Sequence, residues 1–167
     1  MKRIELLEKL DLSCFVAFDF ETTGLDPYSD KIIEIAAIRF KDGVIADRFV
    51  HLLNPERNIP PLITEITGIS DSMVRAAPTE EMIIDDLLDF IGDDPLVAHN
   101  IHFDEQFLSQ LCKRLGRNEV NNLKYDTLQL SRSLLFEQPV FNLGALSEYY
   151  GLSSEGAHRA ENDTENT

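Results

Sequence analysis

Long apolar runs are missing from this 167-residue chain. None approaches the roughly 18 residues that a membrane-spanning helix needs, so no membrane partner is expected. The opening stretch MKRIELLEKLDLSCFVAF turns acidic soon after its first basic residues, and does not read as a secretion signal. Cysteine is scarce: Cys14 and Cys112 stand far apart in apolar settings. Buried free thiols are the expectation for both, with a disulfide as the alternative, and a cytoplasmic location follows. Positive charge is also scarce, with 15 Lys and Arg against 30 Asp and Glu and a net charge of -15. That balance argues against gathering a polyanion by bulk attraction. It does not exclude chemistry on one, because carboxylates that hold divalent cations look like bare negative charge in a count. The run Asp85, Asp86, Asp89, Asp93 and Asp94 reads as solvated surface. There is no repeat, no low-complexity tract, no linker and no G-x-G-x-x-G, so one domain is expected and a dinucleotide-binding sheet is not.

What is present is a pattern of short elements. Ile4, Leu6, Leu7 and Leu10 recur at helical spacing and predict a leading helix. The run 14–20, CFVAFDF, predicts a buried strand, and TTGLDPYSD (22–30) is turn chemistry. Segments 31–40 and 44–53 predict two further strands joined by a tight turn at 41–43. Residues 54–61 read as a loop. Helices are expected over 62–69, from 70–71, over 81–92, 103–116 and 142–151, and from 157 onward. PLVAHN (95–100) predicts a brief strand, and 125–135 a strand end that runs into a helix. Hairpin-connected strands followed by alternating helices and strands imply an α/β fold, a mixed sheet with helices packed on it.

The chemistry gathers at strand ends. Asp19 and Glu21 lie at positions i and i+2 of an apolar strand, so their side chains share one face. Two carboxylates there repel and are costly to desolvate unless a cation neutralises them. Oxygen-only ligands suit Mg²⁺ or Mn²⁺ rather than Zn²⁺. The triplet alone is weak, since Asp163-Thr164-Glu165 repeats it, but only the first follows a buried strand and leads into a glycine turn. Asp104 stands after a short strand at a helix start, where an acid also suits the helix dipole. His99 and Asn100 precede it, making a polar cluster at a strand's carboxyl end. His158 and Asp163 are about 140° apart on a helix of 3.6 residues per turn, and share a site only if His158 sits on loop backbone before the helix.

FDFETTG (18–24), AHNIHFD (98–104), YDT (125–127) and HRAEND (158–163) occur in this order. Together they resemble the DEDDh class of 3′-to-5′ exonucleases, the family of the replicative proofreading (epsilon) subunit, over about residues 15–167. TEITGIS (64–70) adds to the likeness with its bacterial branch. The resemblance implies a ribonuclease H-like fold with a mixed five-stranded sheet flanked by helices. It implies that Asp19, Glu21, Asp104 and Asp163 hold two Mg²⁺ or Mn²⁺ ions about 4 Å apart, and that His158 is the general base. The place where the tyrosine class has Tyr holds Arg159, which favours the histidine class. Thr22 and Thr23 would hold the terminal nucleotide, and Asn100 and Phe103 would contact sugar or base, with a core contact as the alternative for Phe103. Leu25 and Ile66 would pack against bases.

The partner implied is the single-stranded or frayed 3′ end of DNA, with RNA as an alternative. A polymerase or helicase, as partner subunit or fused domain, is a further expectation, and the acidic surface implies that such a partner supplies the basic track. A module that keeps the fold without catalysis is the reading from a different class. Since the chain ends four residues after Asp163, residues 1–167 are expected to be one exonuclease domain, truncated at its C-terminal helix or part of a longer protein. A longer version is then expected to be more active, and equal rates would overturn this.

Overall fold

The computed structural model describes residues 12–152 and 159–167. The leading helix expected over the first residues, and His158, lie outside this range.

The long strand β1 (Cys14–Thr22) is the axis of the fold. It pairs antiparallel with β2 (Ile32–Lys41) through the 23–31 loop, longer than a tight hairpin, and β2 pairs antiparallel with β3 (Val44–Leu52). The β2–β3 turn is tight because Asp42 and Gly43 both take positive φ, 53° and 79°, the twist that two-residue hairpins favour. On the other side β1 pairs parallel with β4 (Leu96–Ala98), which pairs parallel with β5 (Lys124–Asp126). The five strands lie in the order β3-β2-β1-β4-β5, the mixed sheet that the sequence predicts.

Helices follow the periodicity closely. They are α1 (Pro61–Thr67), α2 (Asp71–Val74), α3 (Glu80–Ile91), α4 (His102–Arg114), α5 (Thr127–Leu134), α6 (Leu143–Tyr150) and α7 (Ala160–Asn166). Pro61 opens α1 at the position where a missing N–H costs nothing, and Gly68 closes it in the left-handed conformation. The expected loop over 54–61 therefore ends one residue early. No helix among the described residues is long and apolar enough to cross a membrane.

Alternation along β1 sorts the two faces of the sheet. Val16, Phe18 and Phe20 meet Ile83, Ile84, Leu87 and Ile91 of α3 and Phe107, Leu108, Leu111 and Cys112 of α4 in the main core. Asp85, Asp86, Asp89 and Asp93 on the outer side are exposed, as expected. Asp94 is half-buried and pairs with Arg39. Cys112 is buried and free; Cys14 is also free but only half-buried, because it begins an exposed strand end.

The opposite face of the sheet carries Ala17, Asp19 and Glu21. Across it lies α7, seated on β1 and β2 with Ala160 and Thr164 buried. Farther along the same face is an apolar groove of about 770 Å³, with Phe15, Ala17, Phe40 and Leu130 among its lining. Where Glu21 gives way to Thr22 the pairing slips by one, leaving Ile33 as a bulge in β2. A bulge here lets the strand end splay at the site.

Candidate active site

β4 is shorter than the predicted 95–100 run, and the reason matters for the site. Asn100 adopts a left-handed φ of 63°, a conformation asparagine tolerates, and the chain leaves the sheet there. The Asn100 N–H goes to Asp126 Oδ1 at 3.0 Å, and His99 Nδ1 pairs with Thr127 Oγ1 at 3.0 Å. Asp126 thus ties the end of β4 to the start of α5, which it also caps through the Leu128 and Gln129 N–H groups. Because β4 pairs with β1 only at Val16 and Ala17, the β1 backbone beyond them has no strand beside it there. Asp104, in the first turn of α4 and 2% exposed, fills that place: its Oδ1 accepts the Phe20 N–H at 3.0 Å.

Asp19 and Glu21 stand on the other side of that backbone. Asp163 of α7 joins them, and each of the three offers an oxygen within 4.8 Å of the others. Burial is the main cause of a shift in Asp19, with the Asp163 and Glu34 charges adding to it, and its pKa is pushed up to about 7. Burial likewise pushes Glu21 up to about 9, helped by Asp19, Asp163 and Glu34 and opposed by the Arg159 guanidinium. Asp104 is raised well above the carboxylate range, first by burial and then by the Asp19 charge, with the Phe20 N–H opposing. Three half-buried acids, of which Asp163 raises the other two, make a set of hard oxygen donors short of positive charge, which fits a divalent cation.

A family model described as "Exonuclease" (RNase_T) matches residues 16–167. The chain belongs to this exonuclease family. Among relatives of the exonuclease domain, the PolC-type DNA polymerase III of Bacillus subtilis is 42% identical over 159 residues, covering 95% of this chain and 11% of the relative. The PolC-type DNA polymerase III of Clostridium perfringens is 39% identical over 153 residues, covering 92% of this chain and 10% of the relative. The chain thus spans about a tenth of the length of the relatives it matches. Escherichia coli exonuclease I in complex with a dA16 oligonucleotide superposes with a TM-score of 0.83 at 23% identity, over 93% of this chain and 39% of the other. This likeness establishes the ribonuclease H-like fold.

Of the residues singled out from the sequence, the fold brings Asp19, Glu21 and Asp163 together with Asp104 beside them. Thr22 and Thr23 are buried and their hydroxyls serve the loop: Thr22 Oγ1 donates to Gly24 O at 2.6 Å and Thr23 Oγ1 to Asp30 Oδ1 at 3.0 Å. Leu25 projects from that loop, 82% exposed, and Ile66 of α1 and Asn100 are also exposed. Phe103 is half-buried against the core with its ring centroid 5.0 Å from that of Phe107, the core contact weighed as its alternative. Two residues at the site had no role in the sequence reading. Glu34 is buried, and Arg159, noted only as the non-tyrosine, grips it. The available signal was one acid inside the apolar run KIIEIAAIRF.

Proposed function

We propose that the chain is a metal-dependent 3′-to-5′ exonuclease that releases nucleoside 5′-monophosphates from DNA 3′ ends, as the proofreading module of a polymerase. The observation that carries this reading is the trio Asp19, Glu21 and Asp163 with its oxygens within 4.8 Å. Oxygen-only donors favour Mg²⁺ or Mn²⁺, and Asp104 completes a set of four carboxylates that offsets two such ions. When bound, the cations supply positive charge for the scissile phosphate and lower the pKa of the attacking water.

The chain's own residues do the rest. His158 takes the water's proton as the new P–O bond forms, and an imidazole titrates in the range this needs. The P–O3′ bond breaks, and the departing 3′ oxygen leaves with the shortened strand and takes a proton from solvent. The Thr22–Thr23 backbone holds the terminal nucleotide, with Asn100 and the exposed part of Phe103 against sugar or base. Leu25 and Ile66 offer apolar surface to the bases, which tolerates any sequence. The PolC-type relatives support a polymerase as the fused or partner domain.

A 5′-labelled single-stranded DNA oligomer, incubated with Mn²⁺ or with EDTA, tests this. Stepwise shortening from the 3′ end with Mn²⁺, absent in EDTA and in Asp19→Ala, is the expected result. No shortening by the wild-type chain in Mn²⁺ would sink the reading, and faster shortening of a matched ribo-oligomer would move the substrate to RNA.

A further inference from the structure

Glu34 occupies an unfavourable place for a carboxylate. It is 1% exposed, on the strand position paired with Glu21, beside a trio of acids. A glutamine there could accept a hydrogen bond without adding negative charge, so the charge calls for a partner that needs it. That partner is Arg159: its Nε lies 3.0 Å from Glu34 Oε2 and its Nη2 2.5 Å from Oε1, the two-pronged geometry of a strong guanidinium–carboxylate pair. Glu34 Oε2 also accepts the Ala160 N–H at 2.9 Å. Ala160 is the first residue of α7, a helix with no side-chain cap from its own N-cap residue Arg159, so Glu34 takes one of its unpaired donors from across the sheet. The Arg159 carbonyl in turn accepts the Asp163 N–H at 3.1 Å, closing the first turn. One rigid turn therefore connects the Glu34 contacts to the Asp163 carboxylate.

We propose that Glu34 and Arg159 form a positioning lock that seats the start of α7 on β2 and so holds Asp163 within ligand distance of Asp19 and Glu21. Neither residue belongs to the trio; both act through Asp163. The inference rests on the metal-site reading above. It differs from simple electrostatics in sign. Arg159 is a cation next to an acidic site, and taking a cation away from such a site tightens the binding of a divalent ion. A lost lock does the opposite, because Asp163 drifts out of the donor set.

Calorimetric titration of the full chain with Mn²⁺, without nucleic acid, separates these. Arg159→Met is the deciding variant, since Arg159 is 39% exposed and its replacement leaves no cavity. Binding about tenfold weaker than wild type is expected, with Arg159→Lys in between and Arg48→Met, whose pairs to Glu161 and Glu165 lie on the outer side of α7, within about twofold. In an Asp163→Asn background, Arg159→Met is expected to add no further loss. Melting in EDTA checks that each variant is folded, and Arg159→Lys carries the test if Arg159→Met is not. A folded Arg159→Met, or in its place Arg159→Lys, that binds Mn²⁺ as tightly as wild type or more tightly overturns the lock, as does a full further loss on top of Asp163→Asn. A wild-type chain that binds no Mn²⁺ overturns the metal site and the lock together.

Discussion

Asp19 and Glu21 make the metal-free chain sensitive to pH. Their folded-state pKa values, about 7 and about 9, lie above the ordinary values of 3.8 and 4.5. Between those limits the folded state binds more protons than the unfolded state, so stability falls as pH rises. Their contribution is complete below about pH 4 and is lost as pH climbs through 7 and then 9. The melting temperature in EDTA is therefore expected to drop from pH 5 to pH 9, and Asp19→Asn to flatten the lower part of the fall. Mn²⁺ should raise the melting temperature more at pH 8 than at pH 6, because it competes with those same protons. A metal-free profile that stays level over this range would contradict the burial argument. Gly24 gives a second prediction at this scale. A Cβ there would come within 2.3 Å of the Asp30 carboxylate, which receives the Thr23 hydroxyl and the Asp26 N–H. Gly24→Ala should displace Asp30 and cost about 1–3 kcal/mol of stability through the hydrogen bonds it strands. It should also raise KM for oligonucleotide, since Leu25 rides on the same loop; chemical denaturation and initial-rate kinetics check the two effects.

Among the elements, α7 couples stability to the site. Its inward residues Ala160 and Thr164 are fully buried, so Ala160→Leu overpacks the contact with β1 and β2. A loss of about 1–3 kcal/mol is expected, together with weaker Mn²⁺ binding. Arg48→Ala, which removes partly exposed pairs to the same helix, should cost less than about 1 kcal/mol. Urea denaturation of both variants checks the contrast. The legibility of the chain also divides by element. β1, β2 and β3 could be read because apolar runs and the Asp42-Gly43 turn are local signals, and so could Asp19 and Glu21, whose shared face follows from the pleat alone. Asp104 and Asp163 could be singled out locally but have no local signature strong enough to fix a role, and their roles came from the order of motifs along the chain. A brief strand at β4 was legible, but its end at Ala98 was not, since the left-handed turn at Asn100 is fixed by Asp126 far along the sequence. Glu34 escaped for the same reason: its partner is 125 positions away, and a lone acid in a strand gives no hint of which helix will reach it.

At the scale of the molecule, a net charge of -15 sets the terms on which the chain would meet nucleic acid under the proposed function. Without cations, long-range repulsion should keep single-stranded DNA away, and lowering the salt should weaken binding further instead of strengthening it. Fluorescence anisotropy in EDTA is expected to show no saturable binding at physiological salt, with Mn²⁺ restoring it. Tight binding of long DNA in EDTA would instead reveal a basic track on this chain.

The trio on the sheet is drawn from the two extremes of the described fold, with Asp19 and Glu21 on its first strand and Asp163 on its last helix. A chain emerging from the ribosome presents the first two long before the third has been made, and domains fold as their residues appear. On the proposed function, cutting power therefore cannot precede the docking of α7. On the proposed site, a partly synthesised chain carries three of the four acids and no complete site, and so would be harmless to the strands around it until Asp163 has been added and α7 has docked.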